Sequence, residues 1–365
     1  MLRFALTAFG EVKTGKGQSM KALLYTIGTL SVLLLGTSTG AAPRVAMEEF
    51  MLPAVDPGIT LYVRNKHPVT MKTVPAEKIV LYVHGATYPA ESTFDLPLNG
   101  LSWMDYIAQR GYDVYLVDVR GYGRSTRPPA MALPPEQNEP IVRTDTALRD
   151  FGTAVDFILK RRGVQKLSLM GWSWGTVLAG WYAAQHNERV VKLVLYAPLW
   201  IRDPPAVADT GPKLGAYRTV KREAVRARWT TGVPDSKKAD LIPEGWFEAC
   251  ADANFASDPV GAGLVPPVLR APNGVLADAR DSWNAGKPLY DPGEIRVPTF
   301  LAHAEWDADL PSSMLYAYFE KLVSAPYKRY VQIGEGTHFV MMEKNRMQLF
   351  RAAQQFLDED FRVGQ

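Results

Sequence analysis

The chain reads as an α/β protein: a mostly parallel central sheet with helices on both faces and an inserted helical cap. Three observations predict this. Short, unbroken apolar runs at Lys78–Val83, Asp113–Asp118, Lys166–Met170 and Val191–Tyr196 suit strands buried on both faces. Segments with helical period separate them, and strands alternating with helices build a parallel sheet. The break at 200–290 is too long for a structureless loop in a compact domain. It carries Trp229, Trp246, Phe247, Phe255 and Trp283 among charges and prolines, so it is expected to fold over the carboxyl edge of the sheet. The expected organisation is a leader at 1–42, a core at 43–199 and 291–365, and a cap at 200–290.

The leader carries Arg3, Lys13, Lys16 and Lys21 against Glu11, which accounts for the whole formal charge of +3. The remaining chain is formally neutral, with no basic aromatic-bearing stripe, so a nucleic-acid partner is not expected. From Met20, which offers a second start, the order is Lys21, the apolar run Ala22–Leu35, then Gly36-Thr-Ser-Thr-Gly-Ala-Ala42. A charged start, a short apolar core and a small-residue exit are the parts of a secretory signal peptide. The run is shorter than the roughly 20 residues of a membrane-spanning helix. A secreted or periplasmic protein cut after Gly40 or Ala41 is therefore expected, with no stable membrane span in the mature chain; a permanent anchor is the alternative. With one cysteine, Cys250, neither an internal disulfide nor a Cys-rich metal site is available. Beside Trp246 and Phe247 it reads as a small buried apolar residue.

Along the chain, Glu48–Ala54 and Ile59–Arg64 flank the turn signal Val55-Asp-Pro-Gly58 and predict an antiparallel hairpin. Trp103–Arg110 suits a helix. Asp113–Asp118 ends in the glycine-rich loop Arg120-Gly-Tyr-Gly-Arg-Ser125. Leu148, Phe151, Val155, Ile158 and Leu159 share one helical face and predict a helix over 144–162. After the strand at Lys166–Met170 come a helix at Gly175–His186 and a strand at Val191–Tyr196. Beyond the insertion, Val297–Ala302 and Lys328–Ile333 are strands, while Ser312–Val323 and Met341–Leu357 are helices.

The strongest chemical signal is Gly171-Trp-Ser173-Trp-Gly175, between a strand and a small-residue helix. So sharp a turn strains its central residue and requires small neighbours two positions away, here Gly171 and Gly175. It lifts Ser173 to the positive end of the following helix. A serine hydroxyl needs a base, and histidine is the natural one near neutral pH. Of five histidines, His338 lies in Gly334-Glu-Gly-Thr-His338-Phe, after the last strand, where an α/β sheet gathers its site. The base needs a carboxylate to fix its tautomer. Ala302-His-Ala-Glu-Trp-Asp-Ala-Asp-Leu-Pro311 offers Glu305, Asp307 and Asp309. Asp307 is favoured, and Asp309 reads as a helix N-terminal or solvent carboxylate.

The chain order Ser173, Asp307, His338 on this strand–helix succession resembles the α/β-hydrolase superfamily, over residues 45–365 apart from the insertion. Tyr82-Val-His84-Gly85 is similar to the family's His-Gly oxyanion loop, Asp118–Ser125 to the loop after its next strand, and Gly336-Thr-His338-Phe-Val-Met-Met-Glu343 to its catalytic-histidine segment. The resemblance implies oxyanion donors at the backbone N–H of Trp174 and of Ala86 or Thr87, with His84 and Gly85 supporting the loop. Ala304 stands where relatives often have glycine. His84-Gly-Ala-Thr lacks both the further glycines of lipase-type loops and the Gly-Pro-Gly of proline iminopeptidases.

The resemblance implies a serine hydrolase that forms an acyl-enzyme, needs no metal or cofactor, and acts on a small molecule. A carboxylic ester is the expected substrate, because esters need the least leaving-group help. The cap aromatics and Trp172 suggest that it has an apolar part. An amidase or aminopeptidase, a perhydrolase and a carbon–carbon bond hydrolase use the same triad and remain open. Turnover of amino-acid arylamides would separate the first of these. A binding protein that kept the fold and lost the chemistry is the non-enzymatic alternative; a fluorophosphonate probe that fails to label folded protein would favour it.

Overall fold

Eight strands form the central sheet of residues 43–365, which make up one compact unit. The structure is a computed structural model that describes residues 7–13, 19–25, 43–201 and 213–361. Residues 1–42 form a separate unit, in which β1 (Thr7–Lys13) pairs antiparallel with β2 (Ser19–Tyr25). The leader's apolar run is therefore described only as far as Tyr25. Its remainder and the expected cleavage points at Gly40 and Ala41 lie outside the described residues.

The predicted hairpin is β3 (Val45–Pro53) against β4 (Thr60–Pro68), antiparallel throughout. Next come β5 (Ile79–Val83), β6 (Asp113–Asp118), β7 (Leu167–Trp172) and β8 (Val190–Tyr196). In β5, β6 and β7 every residue is buried, as continuous apolar runs demand in a sheet covered on both faces. After the insertion, β11 (Thr299–Ala304) and β12 (Lys328–Ile333) complete the order β12-β11-β8-β7-β5-β6-β4-β3. All neighbours from β6 to β12 pair parallel. The carboxyl ends of β5, β7, β8 and β11 therefore open on one edge, where α/β sheets bind ligands.

Four helices set that edge. Helix α1 (Thr144–Arg162) buries Ala147, Phe151, Ala154, Val155, Ile158 and Leu159, and stops at Gly163 with φ +66°. A left-handed C-terminal residue suits glycine, which has no Cβ to clash. Helix α2 (Trp174–Gln185) leaves β7 directly. Helix α5 (Ser312–Lys321) follows β11 and α6 (Arg346–Asp358) closes the chain. The last helix starts five residues later than its hydrophobic pattern suggests. Val340–Met342 form a separate 3-10 turn, because Glu343 folds back on Thr337 instead of continuing outward.

The insertion between β8 and β11 is not wholly helical. It holds α3 (Arg222–Trp229) and α4 (Trp246–Ala256) among shorter turns, but also an antiparallel pair, β9 (Tyr217–Val220) with β10 (Leu269–Pro272). Trp229, Trp283, Phe247 and Phe255 are buried, and Trp229 packs on both Phe247 and, beyond the insertion, Phe339, so these aromatics fill the insertion and its seam with the sheet domain instead of facing a ligand. Cys250 is buried with them at 1% exposure, and burial pushes its thiol up to about 12, leaving it chemically inert.

Candidate functional site

Ser173 stands between β7 and α2 at φ +55°, ψ −122°, a conformation costly for a residue with a Cβ. Its N–H donates to Tyr196 O at 3.0 Å, tying the turn to the next strand. The flanking glycines have a measurable reason. A Cβ on Gly171 would lie 2.3 Å from Gly175 O, and one on Gly175 would lie 2.4 Å from Val83 O and 2.6 Å from His84 O. Backbone fills both spaces and cannot give way. Trp172 and Trp174 are buried on either side, while Ser173 itself is half-buried.

His338 follows β12 and packs against the same turn. Its ring lies 5.4 Å from that of Trp172, whose indole N–H donates to His338 O at 3.1 Å. Tyr196 Oη also donates to that carbonyl, at 2.7 Å, and accepts from Val340 N–H. His338 Nδ1 is 2.8 Å from Asp307 Oδ2. The other oxygen of Asp307 accepts the N–H groups of Asp309 and Leu310, at 2.9 and 3.0 Å. Both oxygens are thus committed and the carboxylate is fixed in rotation. The competing acids face elsewhere. Exposed Glu305 accepts from Glu335 N–H, and Asp309 meets the guanidinium of Arg228 at 3.0 Å through Nε.

Gly85 follows β5 and packs on Ser173; a Cβ there would lie 3.1 Å from Ser173 Cβ. His84 is buried, and burial pushes its pKa down to about 4, so it is neutral. Its Nε2 accepts from Val119 N–H at 3.2 Å, so the ring proton sits on Nδ1 and is donated to Gly85 O at 2.7 Å. A trans peptide directs its N–H opposite to its C=O. Holding Gly85 O therefore aims the N–H of Ala86. The next peptide is held likewise, because Ala86 O accepts from Tyr122 Oη and from Arg218 Nη2, both at 2.8 Å, which aims the N–H of Thr87. Among the described residues, the N–H groups of Ala86, Thr87 and Trp174 donate to no protein acceptor.

The sequence pattern of the family described as alpha/beta hydrolase fold matches residues 78–345. The chain belongs to that family. Among solved structures it is similar to a 2-hydroxy-6-oxo-6-phenylhexa-2,4-dienoate hydrolase from Rhodococcus sp. strain RHA1, at TM-score 0.58 and 14% identity, over 87% of this chain and 100% of that one. A serine hydrolase from the polyaromatic-hydrocarbon-degrading bacterium Cycloclasticus zankles gives TM-score 0.56 and 16% identity, over 86% and 98%. A hydrolase from Pseudomonas aeruginosa PA01 gives 0.56 and 17%, over 85% and 98%. At these identities the likeness is one of fold. No curated protein sequence matches the chain.

In this alpha/beta hydrolase a second buried carboxylate supports the histidine. Glu343 accepts the N–H of Thr337 at 3.0 Å and the indole N–H of Trp229 at 2.8 Å, and also binds the Thr337 hydroxyl. It thereby links α3 of the insertion to the residue before His338. Sequence reasoning quotes Glu343 within the histidine segment without giving it a role. Its partner Trp229 lies 114 positions away, which no local pattern shows.

Burial pushes the Glu343 carboxyl up to about 7 from its ordinary 4.5, against the hydrogen bonds from Thr337 and Trp229. The folded state therefore holds a proton that the unfolded state releases, and stability falls as pH rises from about 4.5 to 7. A shift of this size corresponds to roughly 3 kcal/mol. Glu343→Gln is expected to match the wild type below pH 4.5 and to become more stable by about that amount above pH 7. Urea unfolding across this range measures it; an equal offset at every pH would show that the charge is not responsible.

Asp307, Asp309 and His338 place their ligand atoms within 4.8 Å of one another. A divalent cation would find this set poorly suited, because Asp307 is saturated by His338 and two N–H groups, and Arg228 holds Asp309. Two of the clefts among the described residues are of similar size. One, of about 600 Å³, lies at Asp156, Lys160, Glu188 and Arg189 and touches none of the residues above. The other, of about 620 Å³, is bordered by Thr87 and Tyr88 of the loop after β5 and by the insertion. No helix among the described residues is long and apolar enough to cross a membrane.

Proposed function

We propose that this hydrolase cleaves carboxylic esters by two-step acyl transfer. The observation that carries the reading is His338 on a rotationally fixed Asp307, packed against the strained turn that presents Ser173. Asp307 accepts the Nδ1 proton of His338 and leaves Nε2 free to accept. His338 takes the hydroxyl proton of Ser173 as its oxygen attacks the ester carbonyl. The N–H groups of Trp174 and Ala86 receive the oxyanion, with Thr87 the neighbouring donor. The tetrahedral intermediate collapses as His338 protonates the departing alcohol. Water activated by the same histidine then attacks the acyl-enzyme and releases the acid and Ser173.

The apolar part of the substrate has a wall to meet. Leu214, Val220, Val225 and Leu276 line the cleft next to the oxyanion loop. The cap is where this specificity is set. The leader adds the proposal that the protein acts outside the cytoplasm.

The test is hydrolysis of a p-nitrophenyl ester series from acetate to palmitate, together with labelling by a fluorophosphonate probe. Turnover with a defined chain-length optimum is expected, with the probe's mass on the peptide containing Ser173. Labelling at Ser173 without ester turnover would reject ester cleavage and keep the nucleophile. No labelling of folded protein would reject both.

A further inference from the structure

The cleft between the oxyanion loop and the insertion is lined by Lys213, Arg218, Lys221 and Arg228, with Glu136 the one lining carboxylate among the described residues. Arg228 is matched by Asp309. Among the described residues, Lys213, Arg218 and Lys221 make no ion pair. Arg218 is the informative one. Other arginines that reach inside this molecule meet a carboxylate: Arg64 with Asp95, Arg120 with Asp150, Arg162 with Asp113, Arg270 with Asp258. Arg346, which does not, donates to Leu98 O and Leu101 O and stacks on Trp246 at 4.5 Å.

Arg218 donates to neutral acceptors: Ala86 O and Thr87 Oγ1 through Nη2, and Pro272 O and, at 3.4 Å, Asn273 Oδ1 through Nη1. Burial and the nearby charge of Arg228 both weaken its hold on its proton. Asp309 offsets Arg228, whereas no carboxylate among the described residues offsets Arg218, and a partly buried charge left without a counter-ion is costly. The sequence places a cation here, hydrogen-bonded to the loop whose Gly85 packs on Ser173.

We propose that this cleft binds a carboxylate carried by the substrate, held by Arg218 and Lys221 with Lys213 at the rim; this rests on the ester-hydrolase reading above. The Nη donors of Arg218 are committed to the protein, so it offers the carboxylate its charge, while the exposed Lys221 ammonium can turn to meet it. The substrate class is then a half-ester of a dicarboxylic acid, or an ester of a hydroxy acid, with an aliphatic stretch against Leu214, Val220 and Leu276.

Matched pairs test it in a pH-stat. Monoethyl adipate against ethyl hexanoate puts the charge on the acyl side; 4-acetoxybutanoate against butyl acetate puts it on the alcohol side. In the wild type, kcat/KM is expected to favour the charged member of one pair, and high salt is expected to shrink that preference. Arg218→Met is expected to lower the charged-to-neutral ratio about tenfold, and exposed Lys221→Met a few-fold. The pair that responds identifies the side. A ratio that neither variant changes would overturn the proposal and leave Arg218 as a brace of the oxyanion loop, even if both variants lose activity. Should Arg218→Met fail to fold, Lys213→Met with Lys221→Met keeps the test. If no ester is cleaved at all, the ester reading fails by itself. Calorimetry of adipate on the Ser173→Ala protein then decides the cleft: binding weakened by Lys221→Met supports it, and no binding sinks it.

Discussion

Replacing Ser173 with alanine is expected to lower kcat on any cleaved ester by about three powers of ten or more, with the fold intact. The hydroxyl makes no structural hydrogen bond among the described residues. The contacts that hold the turn are the Ser173 N–H on Tyr196 O and the packing of Gly85, Gly171 and Gly175, and all survive the substitution. Alanine carries the same Cβ and therefore the same backbone strain, so thermal unfolding should move little. The residual rate reports the oxyanion donors and binding alone. Nucleophile and base act as a unit, so adding His338→Ala to Ser173→Ala should cost almost nothing further. The kinetic double cycle is the measurement. Losses that multiply would mean that the two residues serve separate steps and that Ser173 is not activated by His338.

Asp307→Asn should lower kcat by about 10⁴-fold with the substrate's KM nearly unchanged. The geometry supplies the reason. One oxygen at this position is held by two donors, the N–H groups of Asp309 and Leu310. In the asparagine variant the amide oxygen must stay with those donors, so the NH₂ group turns to His338. It then donates to Nδ1, moves the ring proton to Nε2, and leaves the base with nothing to accept a proton. The site keeps its shape and has the wrong tautomer. Glu305→Gln provides the contrast, since that side chain is exposed and serves only Glu335 N–H. If Asp307→Asn retains activity within tenfold of the wild type, the carboxylate is a structural ligand of its own loop and His338 is oriented by something else.

The parts of this protein legible in its sequence are those with a local physical cause. Strands buried on both faces must be continuously apolar, so β5, β6, β7 and β8 are visible as runs. A turn that places Ser173 at φ +55° must have small residues two positions away, so Gly171 and Gly175 announce it. Helix α1 ends at Gly163 because its periodic face ends there.

Long-range pairing set the rest. Three acids follow β11 within five residues, and local pattern separates Asp307 from Glu305 and Asp309 only weakly. What separates them is where β12 delivers His338 and where α3 delivers Arg228. The cap aromatics read as ligand-facing from composition and are core, because an insertion of this size must bury apolar surface of its own. Arg218 carries no motif and Glu343 only closes the histidine segment: each owes part of its role to a partner more than a hundred residues away, the Ala86 carbonyl for one and Trp229 for the other. Sequence alone thus determined the sheet, the turn at Ser173 and the candidate base, because each rests on neighbours along the chain. Only the tertiary structure decided which carboxylate the base meets, what the insertion buries and which charges face the cleft, because those depend on segments that folding alone brings together.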